Sequence, residues 1–166
     1  VLFCDDFLCR GNRAVSVAFY EALMNRFDCK DPNFLEPGEE LMFCGLNISM
    51  LSEGSQQYYT VDQHSDIAAF LLEFGLNDER ARVCPTSNKS TLTDSEPISE
   101  EEQRWCRSAI GGLHYLARGT RWDISQTTSR IGQTMKEPTR GTMDAIRSLG
   151  GYLASTATDI YIKTCL

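Results

Sequence analysis

The sequence lacks any apolar run close to the roughly 20 residues that a membrane-spanning helix needs. We therefore expect no membrane partner. Its first residues also lack the basic flank, apolar stretch and small-residue cleavage site of a secretory signal. Histidine is scarce, with only His64 and His114, and none of the seven cysteines forms a Cys-x-x-Cys pair. These shortages exclude the usual zinc modules.

The cysteines are odd in number and irregularly spaced, and most of them replace apolar residues in strand or helix patterns. A free cysteine behaves as a small apolar side chain, and disulfides are rare in reducing compartments. We therefore expect buried free thiols and an intracellular, reducing location.

Basic residues are also in short supply, and the formal net charge is −7 at pH 7. Nucleic-acid binding needs a basic face that neutralises phosphates. The distribution is uneven: residues 1–103 carry 7 basic and 19 acidic residues, a net of −12, whereas residues 104–166 carry 9 and 4, a net of +5. The basic excess that favours a nucleic-acid face therefore lies in the second segment. The 42% hydrophobic content is sufficient for a folded core.

Two short apolar runs flank the adjacent Asp5 and Asp6. Their length, composition and lack of a 3.6-residue period predict two strands joined by a tight bend. Neighbouring carboxylates repel each other unless a proton or a cation lies between them, and Mg²⁺ prefers such oxygen ligands. Aspartate is also common in solvated turns, where it hydrogen-bonds the local backbone. The residues alone leave both interpretations open, a metal site and a plain turn.

The remaining patterns predict an α+β chain. Asn12 is placed to cap a helix that covers one face of the sheet, and Ser99 and Glu102 form the pattern of a capping box. Gly45 lies inside a strand-like run, where it either lets a nucleic-acid backbone approach or marks a bulge or packing position. The predicted elements are helix 13–27, strand 41–51, turn 52–55, strand 57–61, helix 62–74, loop 77–98, helix 99–117, helix 123–135, helix 138–155 and strand 159–163.

Apolar residues at helical spacing predict which faces are buried. Adjacent glycines at 111 and 112 are expected to allow close contact between helices, and the long loop indicates mobility or a boundary between lobes. The predicted inward residues are Val15, Ala18, Phe19, Ala22, Leu23 and Phe27; Ile67, Phe70, Leu71 and Phe74; Cys106, Ala109, Ile110, Leu113 and Leu116 or Ala117; and Met143, Ile146, Leu149 and Leu153.

Several short segments resemble the polymerase motifs of copia-type retrotransposons. Residues 3–6, Phe-Cys-Asp-Asp, resemble the aromatic-x-Asp-Asp box of reverse transcriptases, with phenylalanine in place of the usual tyrosine. Residues 43–48, Phe-Cys-Gly-Leu-Asn-Ile, are similar to that family's Phe-Leu-Gly-x-x-Ile segment. Residues 62–63, Asp-Gln, precede an apolar helix and resemble its Leu-x-Gln-x-x-Tyr stretch.

The second half of the chain continues the series in the same order. Residues 107–116 match the family's Arg-Ser-x-x-Gly-x-Leu-x-Tyr-Leu block, and residues 120–124 match its Thr-Arg-Pro-Asp-Ile with tryptophan in place of proline. Residues 138–139, Pro-Thr, and 151–153, Gly-Tyr-Leu, complete the series. Each box alone is weak, but their common order is specific.

The resemblance implies a fragment of a copia-type reverse transcriptase, encoded in a Pol polyprotein. It implies the C-terminal part of the palm in residues 1–61, with an Asp-Asp hairpin, a primer-grip hairpin and a packing helix. A thumb of about four helices follows in 62–158, and residues 159–166 begin the connection to a missing RNase H domain. The fingers and the first palm aspartate are expected upstream of this chain.

The resemblance also implies roles for individual residues. Asp5 is the first choice for direct ligation of Mg²⁺, and Asp6 is a second ligand or positions Asp5. Two such ions serve nucleotidyl transfer to the primer 3′-hydroxyl in the complete enzyme. The implied assignments are catalytic and metal-binding for Asp5 and Asp6; primer-grip for Phe43, Cys44, Gly45 and Leu46; and nucleic-acid-binding for Gln63, Arg118 and Arg121.

The implied partners are an RNA or DNA template with its primer, dNTPs, and the rest of the polyprotein, with its fingers, integrase and RNase H. The implied location is a cytoplasmic particle or the nucleus. Because the third carboxylate is absent, we expect weak or no Mg²⁺ binding and little activity from the fragment alone. One alternative is a decayed or domesticated copy that acts only as a nucleic-acid-binding or interaction module. Another is an unrelated helical interaction module in which the aspartates form only a turn.

Overall fold

The computed structural model describes residues 2–3, 6–85, 92 and 96–165, with the side chains of residues 2, 3, 6 and 165 outside the description. Within these residues, strands come first and a mainly helical part follows. A four-stranded antiparallel sheet and five α-helices make up most of the fold. The predicted α+β class is therefore confirmed.

The first two strands, β1 (Leu2–Phe3) and β2 (Asp6–Phe7), pair antiparallel. Phe3 lies opposite Asp6 in this pairing. Strand β2 ends at Phe7, before the end of the second predicted apolar run. Cys4 and Asp5 lie outside the described residues.

Helix α1 (Arg13–Met24) begins as predicted, since the Ala14 amide donates a hydrogen bond to the Asn12 side chain at 2.9 Å. It ends before the predicted boundary, and none of its residues is buried. Val15 is 68% exposed and Phe19 46% exposed. The prediction that this helix is buried against a sheet is therefore wrong for the described chain. A 3.6-residue period creates an apolar stripe but does not supply the surface that covers it.

The main sheet contains β3 (Glu40–Phe43), β4 (Leu46–Glu53), β5 (Gln56–Asp62) and β6 (Ile162–Cys165), in that order and all antiparallel. The predicted continuous strand over 41–51 is wrong, because the chain turns at Cys44 and Gly45. Both residues have positive φ, 52° and 79°, and a two-residue turn of this kind joins antiparallel strands with the correct twist. The second predicted hairpin, between β4 and β5, is confirmed.

The helical part contains α2 (His64–Glu73), α3 (Glu100–Gly119), a short 3₁₀ helix (Trp122–Ile124), α4 (Ser125–Gly132) and α5 (Arg140–Ser155). The capping box at the start of α3 is confirmed. The Ser99 amide donates to Glu102 Oε2 at 2.8 Å, and the Glu102 amide donates to Ser99 Oγ at 3.2 Å. The helix predicted over 123–135 is divided, with 3₁₀ geometry at its start and turns after residue 132.

The core lies among α2, α3, α4 and α5. Gly112 faces Phe70 across the contact between α2 and α3, so the expected close approach at this glycine is confirmed, whereas Gly111 faces open space. The predicted inward residues that are buried are Ile67, Phe70, Leu71, Cys106, Ala109, Ile110, Leu113, Leu116, Ala117, Met143, Ile146, Leu149 and Leu153.

The described ends of the long loop are held against α5. Ser155 Oγ donates to the Arg82 carbonyl at 2.7 Å, and the Arg80 carbonyl lies against Gly151. Pro97 forms an isolated antiparallel bridge with Thr139 just before α5. These contacts join both described ends of the loop to the helical part.

Candidate functional site

The predicted metal ligands lie at the β1–β2 pair. Asp5 is outside the described residues, and for Asp6 only the backbone position in β2 is described. Carboxylate oxygens are the donor type that Mg²⁺ prefers. In the part of the chain that the structure describes, no group of three or more His, Cys, Asp and Glu side chains could hold a metal ion.

The four predicted primer-grip residues, Phe43 to Leu46, form the turn between β3 and β4, which we call the β3–β4 turn. Phe43 and Leu46 pair with each other and close it. Cys44 is exposed at its tip, and its left-handed backbone costs a non-glycine residue about 1 kcal/mol. The sequence predicted these residues inside a strand, and the structure places them at the end of a hairpin.

The β3–β4 turn lies directly against the helical part. The Tyr115 hydroxyl of α3 donates a hydrogen bond to Asp66 Oδ2 of α2 at 3.0 Å. The same hydroxyl occupies the space where a side chain on Gly45 would lie. Burial raises the pKa of Tyr115, and the hydrogen bond to Asp66 raises it further.

Gln63 joins the end of the sheet to the end of α3. It is only 2% exposed. Its Oε1 accepts hydrogen bonds from the Thr120 amide at 2.8 Å and from Thr120 Oγ1 at 3.2 Å. Gly119 leaves room for this side chain. In this conformation Gln63 has a structural role and presents no surface to a nucleic acid.

Arg121 is fully buried between the 3₁₀ helix and the end of α5. Its guanidinium donates two hydrogen bonds to Asp123, at 3.0 and 2.8 Å, and one to Thr156 Oγ1 at 2.7 Å. Burial alone would raise the pKa of Asp123, but hydrogen bonds from Arg121 and Tyr152 and the guanidinium charge lower it overall. Arg121, like Gln63, therefore has a structural role here.

Arg118 is the one predicted nucleic-acid residue of the three whose side chain is exposed. Among the described residues, Arg104 and Arg118 of α3 and Arg130 of α4 have no ion-pair partner. Arg107 instead donates to the carbonyls of residues 135 and 136, at 3.1 and 3.2 Å. Lys136, a few residues after α4, also has no ion-pair partner among the described residues, so the unpaired positive charge of the second segment lies on α3, on α4 and shortly after α4.

Sequence reasoning missed Tyr115 and Asp66, although both lie near the predicted primer-grip residues. Tyr115 is a large aromatic residue that falls outside the buried stripe of α3. Asp66 lies in the first turn of α2, where the positive end of the helix dipole stabilises a carboxylate. These signals could have marked both residues, but they could not have paired them, because they are 49 residues apart.

Comparison with known proteins finds similarity to a retrotransposon protein. It is 29% identical over 162 residues to the retrovirus-related Pol polyprotein from transposon RE2 of Arabidopsis thaliana. The predicted resemblance to a retrotransposon Pol polyprotein is confirmed. This similarity covers 94% of the chain but only 10% of the length of the Pol polyprotein.

Two other comparisons find no relative, since no family model and no solved structure matches the chain. Within the described residues, no helix is both long enough and apolar enough to cross a membrane.

Proposed function

We propose that this chain forms the end of the palm and the thumb of an RNA-directed DNA polymerase from a copia-type retrotransposon. The palm part comprises residues 1–61 and the thumb 62–158, and residues 159–166 lead towards RNase H. The observation that carries this proposal is the similarity to a Pol polyprotein along 94% of the chain. Segments that resemble motifs of the polymerase family occur along it in the family's order.

In this proposal, Asp5 and Asp6 hold Mg²⁺. The metal supplies stabilisation of the negative charge that develops on the primer hydroxyl and on the leaving phosphate oxygens. Asp5 serves as the direct ligand, and Asp6 is a second ligand or orients Asp5. A third carboxylate comes from the part of the palm that this chain lacks, so these residues alone have little or no polymerase activity.

The β3–β4 turn serves to hold the primer 3′ end. Its tip is exposed at Cys44, and Gly45 follows with a φ of 79°. The strands β3 and β4 hold the turn through backbone pairing, with Phe43 opposite Leu46. A primer strand can therefore lie against the turn without disturbing the pairing.

Three arginines on α3 and α4 serve as the contact for the template–primer duplex; Arg104 and Arg118 are exposed and Arg130 is half-buried. Arg104, Arg118 and Arg130 have no ion-pair partner among the described residues, so their charges are available to phosphates. The remaining partners are dNTPs and the rest of the polyprotein, with its fingers, integrase and RNase H. The complete protein then works in a cytoplasmic particle or in the nucleus.

Primer extension tests this function. The complete open reading frame that contains the chain is assayed on an RNA template with Mg²⁺, as wild type, Asp5→Asn and Asp28→Asn. Asp28 is exposed and lies far along the chain from the aspartate pair, so its variant is the matched control. We expect extension by the wild type and the control and none by Asp5→Asn, because an amide is a much poorer Mg²⁺ ligand than a carboxylate.

Extension by Asp5→Asn at the wild-type rate would overturn the catalytic role of Asp5. No extension by any of the three proteins, from folded protein that still binds a template–primer duplex, would instead support the decayed or domesticated copy. In that case the chain would act only as a nucleic-acid-binding module.

A further inference from the structure

Three residues from different elements meet where the β3–β4 turn touches the helical part. Gly45 lies in the turn, Asp66 in the first turn of α2 and Tyr115 in α3. The Tyr115 hydroxyl donates to Asp66 Oδ2 at 3.0 Å and also contacts Gly45. A Cβ atom on Gly45 would lie 3.7 Å from Asp66 Oδ2. The turn is therefore packed against a hydrogen-bonded pair that spans two helices.

The need for glycine at position 45 has two separate causes. The first is its backbone φ of 79°, which L-residues rarely adopt. The second is the Tyr115 hydroxyl, which fills the space of a Cβ atom. Gly54, in the turn between β4 and β5, shares only the first cause: its φ is 63°, and nothing lies within 4 Å of the corresponding Cβ. The contact with the helices is therefore particular to Gly45.

The hydrogen bond between Tyr115 and Asp66 fixes the position of the Tyr115 side chain. Asp66 lies in the first turn of α2, and its carboxylate accepts the hydrogen bond from the Tyr115 hydroxyl at 3.0 Å. Tyr115 is 48% exposed, so burial of its ring in the core does not explain its orientation. The contacts of its hydroxyl with Asp66 and Gly45 explain the orientation of the side chain.

We propose that Tyr115 is a positioning residue that sets the location of the β3–β4 turn, and with it the primer 3′ end, relative to α2 and α3. Asp66 accepts the hydrogen bond from the Tyr115 hydroxyl, and the absence of a side chain on Gly45 leaves space for that hydroxyl. A movement of the helices is then transmitted to the turn through this contact. The proposal rests on the proposed function for its primer, but the contact itself is tested without any nucleic acid.

The first test compares the thermal stability of variants of the chain. Both Gly45→Ala and Gly54→Ala suffer backbone strain, and we expect Gly45→Ala to lower Tm by roughly 5–10 °C more because of the Tyr115 hydroxyl. Adding Tyr115→Phe to Gly45→Ala should recover part of this difference, since the nearest ring atom then lies 3.4 Å from the new Cβ. Equal Tm losses at positions 45 and 54 would overturn the inference.

The second test follows the primer terminus itself. A template–primer duplex carrying 2-aminopurine at the primer 3′ end is titrated with the wild type, Tyr115→Phe and Tyr161→Phe. Tyr161 is exposed to the same extent as Tyr115, 48%, and serves as the control for loss of a hydroxyl. We expect Tyr115→Phe to change the fluorescence of the bound terminus while the duplex Kd stays within about twofold. Tyr161→Phe should change neither.

Conservative replacement of Asp66 separates positioning from folding. Asp66→Asn keeps an oxygen acceptor and should retain the wild-type terminal fluorescence, whereas Asp66→Ala should reproduce the effect of Tyr115→Phe. A terminal signal that is the same in wild type, Tyr115→Phe and Asp66→Ala would overturn the positioning role. A wild-type chain that binds duplex without any terminal signal would overturn the proposed primer contact as well, whatever the Tm comparison shows.

Discussion

Arg121 places a full positive charge inside the helical part, and its neighbours compensate for it. Asp123 accepts two hydrogen bonds from the guanidinium, Thr156 accepts a third, and the Tyr152 ring lies 5.5 Å from the guanidinium carbon. A buried ion pair of this kind adds little net stability over an apolar pair, but removing one partner leaves an uncompensated charge. Arg121 is therefore sensitive to changes in its neighbours.

Asp123→Asn should lower the free energy of unfolding by about 3 kcal/mol at neutral pH, because Arg121 loses its counter-charge. Glu79→Gln is the control, since it breaks a more exposed pair with Arg147 at 3.8 Å and should cost less than about 1 kcal/mol. Urea unfolding of both variants measures the difference. Equal effects would contradict a compensating role for Asp123.

The same experiment has a defined pH dependence. The pKa of Asp123 is lowered in the folded chain, so its contribution is complete above the usual aspartate pKa. It is lost as the pH falls through the lowered, folded-state pKa. The stability difference between the wild type and Asp123→Asn should therefore shrink only in strongly acidic solution.

Helix α3 shows how two adjacent glycines in one element can have opposite roles. A Cβ on Gly112 would lie 2.7 Å from the Phe70 ring of α2, whereas nothing lies within 4 Å of a Cβ on Gly111. Gly112 therefore sets how closely α2 and α3 approach. Gly111 only lowers the helix propensity of α3.

Substitution of each glycine by alanine should change the stability in opposite directions. Gly111→Ala should raise the free energy of unfolding by up to about 1 kcal/mol through helix propensity. Gly112→Ala should lower it by about 1–3 kcal/mol, because the added methyl group overpacks the contact with Phe70. Chemical denaturation measures both effects, and Phe70→Leu should reduce the loss at Gly112. A stabilised Gly112→Ala variant would show that α2 and α3 are not in close contact.

Across the whole molecule, charge is divided between the two segments. The net charge of the chain is −7, but residues 104–166 carry a net charge of +5. Part of that charge is not available, since Arg121 is buried and Arg140 and Arg147 pair with glutamates. Within the residues that the structure describes, the basic residues of this segment without an ion-pair partner are Arg104, Arg107, Arg118, Arg130 and Lys136. Duplex binding by this acidic chain should therefore depend on a small number of basic residues.

Arg118→Gln should weaken duplex binding and reduce the slope of log K against log salt by about 1, because one phosphate contact is lost. Arg26→Gln removes an exposed arginine from the acidic segment and should leave the slope unchanged. Fluorescence anisotropy over a range of salt concentrations gives both slopes. A salt dependence that Arg118→Gln leaves unaltered would exclude α3 as the duplex face.

Most of the local structure could be predicted from short-range sequence patterns. The spacing of apolar residues identified the buried faces of α2, α3 and α5, and the Ser99 capping box marked the start of α3. Turn residues located the hairpin between β4 and β5. These features depend on residues a few positions apart, so a local pattern contains the information that specifies them.

Contacts between distant parts of the chain determine which polar residues are buried and which apolar stripe is left exposed, and no local pattern predicted them. Gln63 is buried because it bonds Thr120, 57 residues away, and Arg121 because it meets Thr156 beyond α5. Gly45 is a turn residue packed against Tyr115 rather than a strand residue, and α1 has no buried residue. Each outcome depends on a partner far along the chain, and hydrophobic periodicity carries no information about which distant partner will fill a given space.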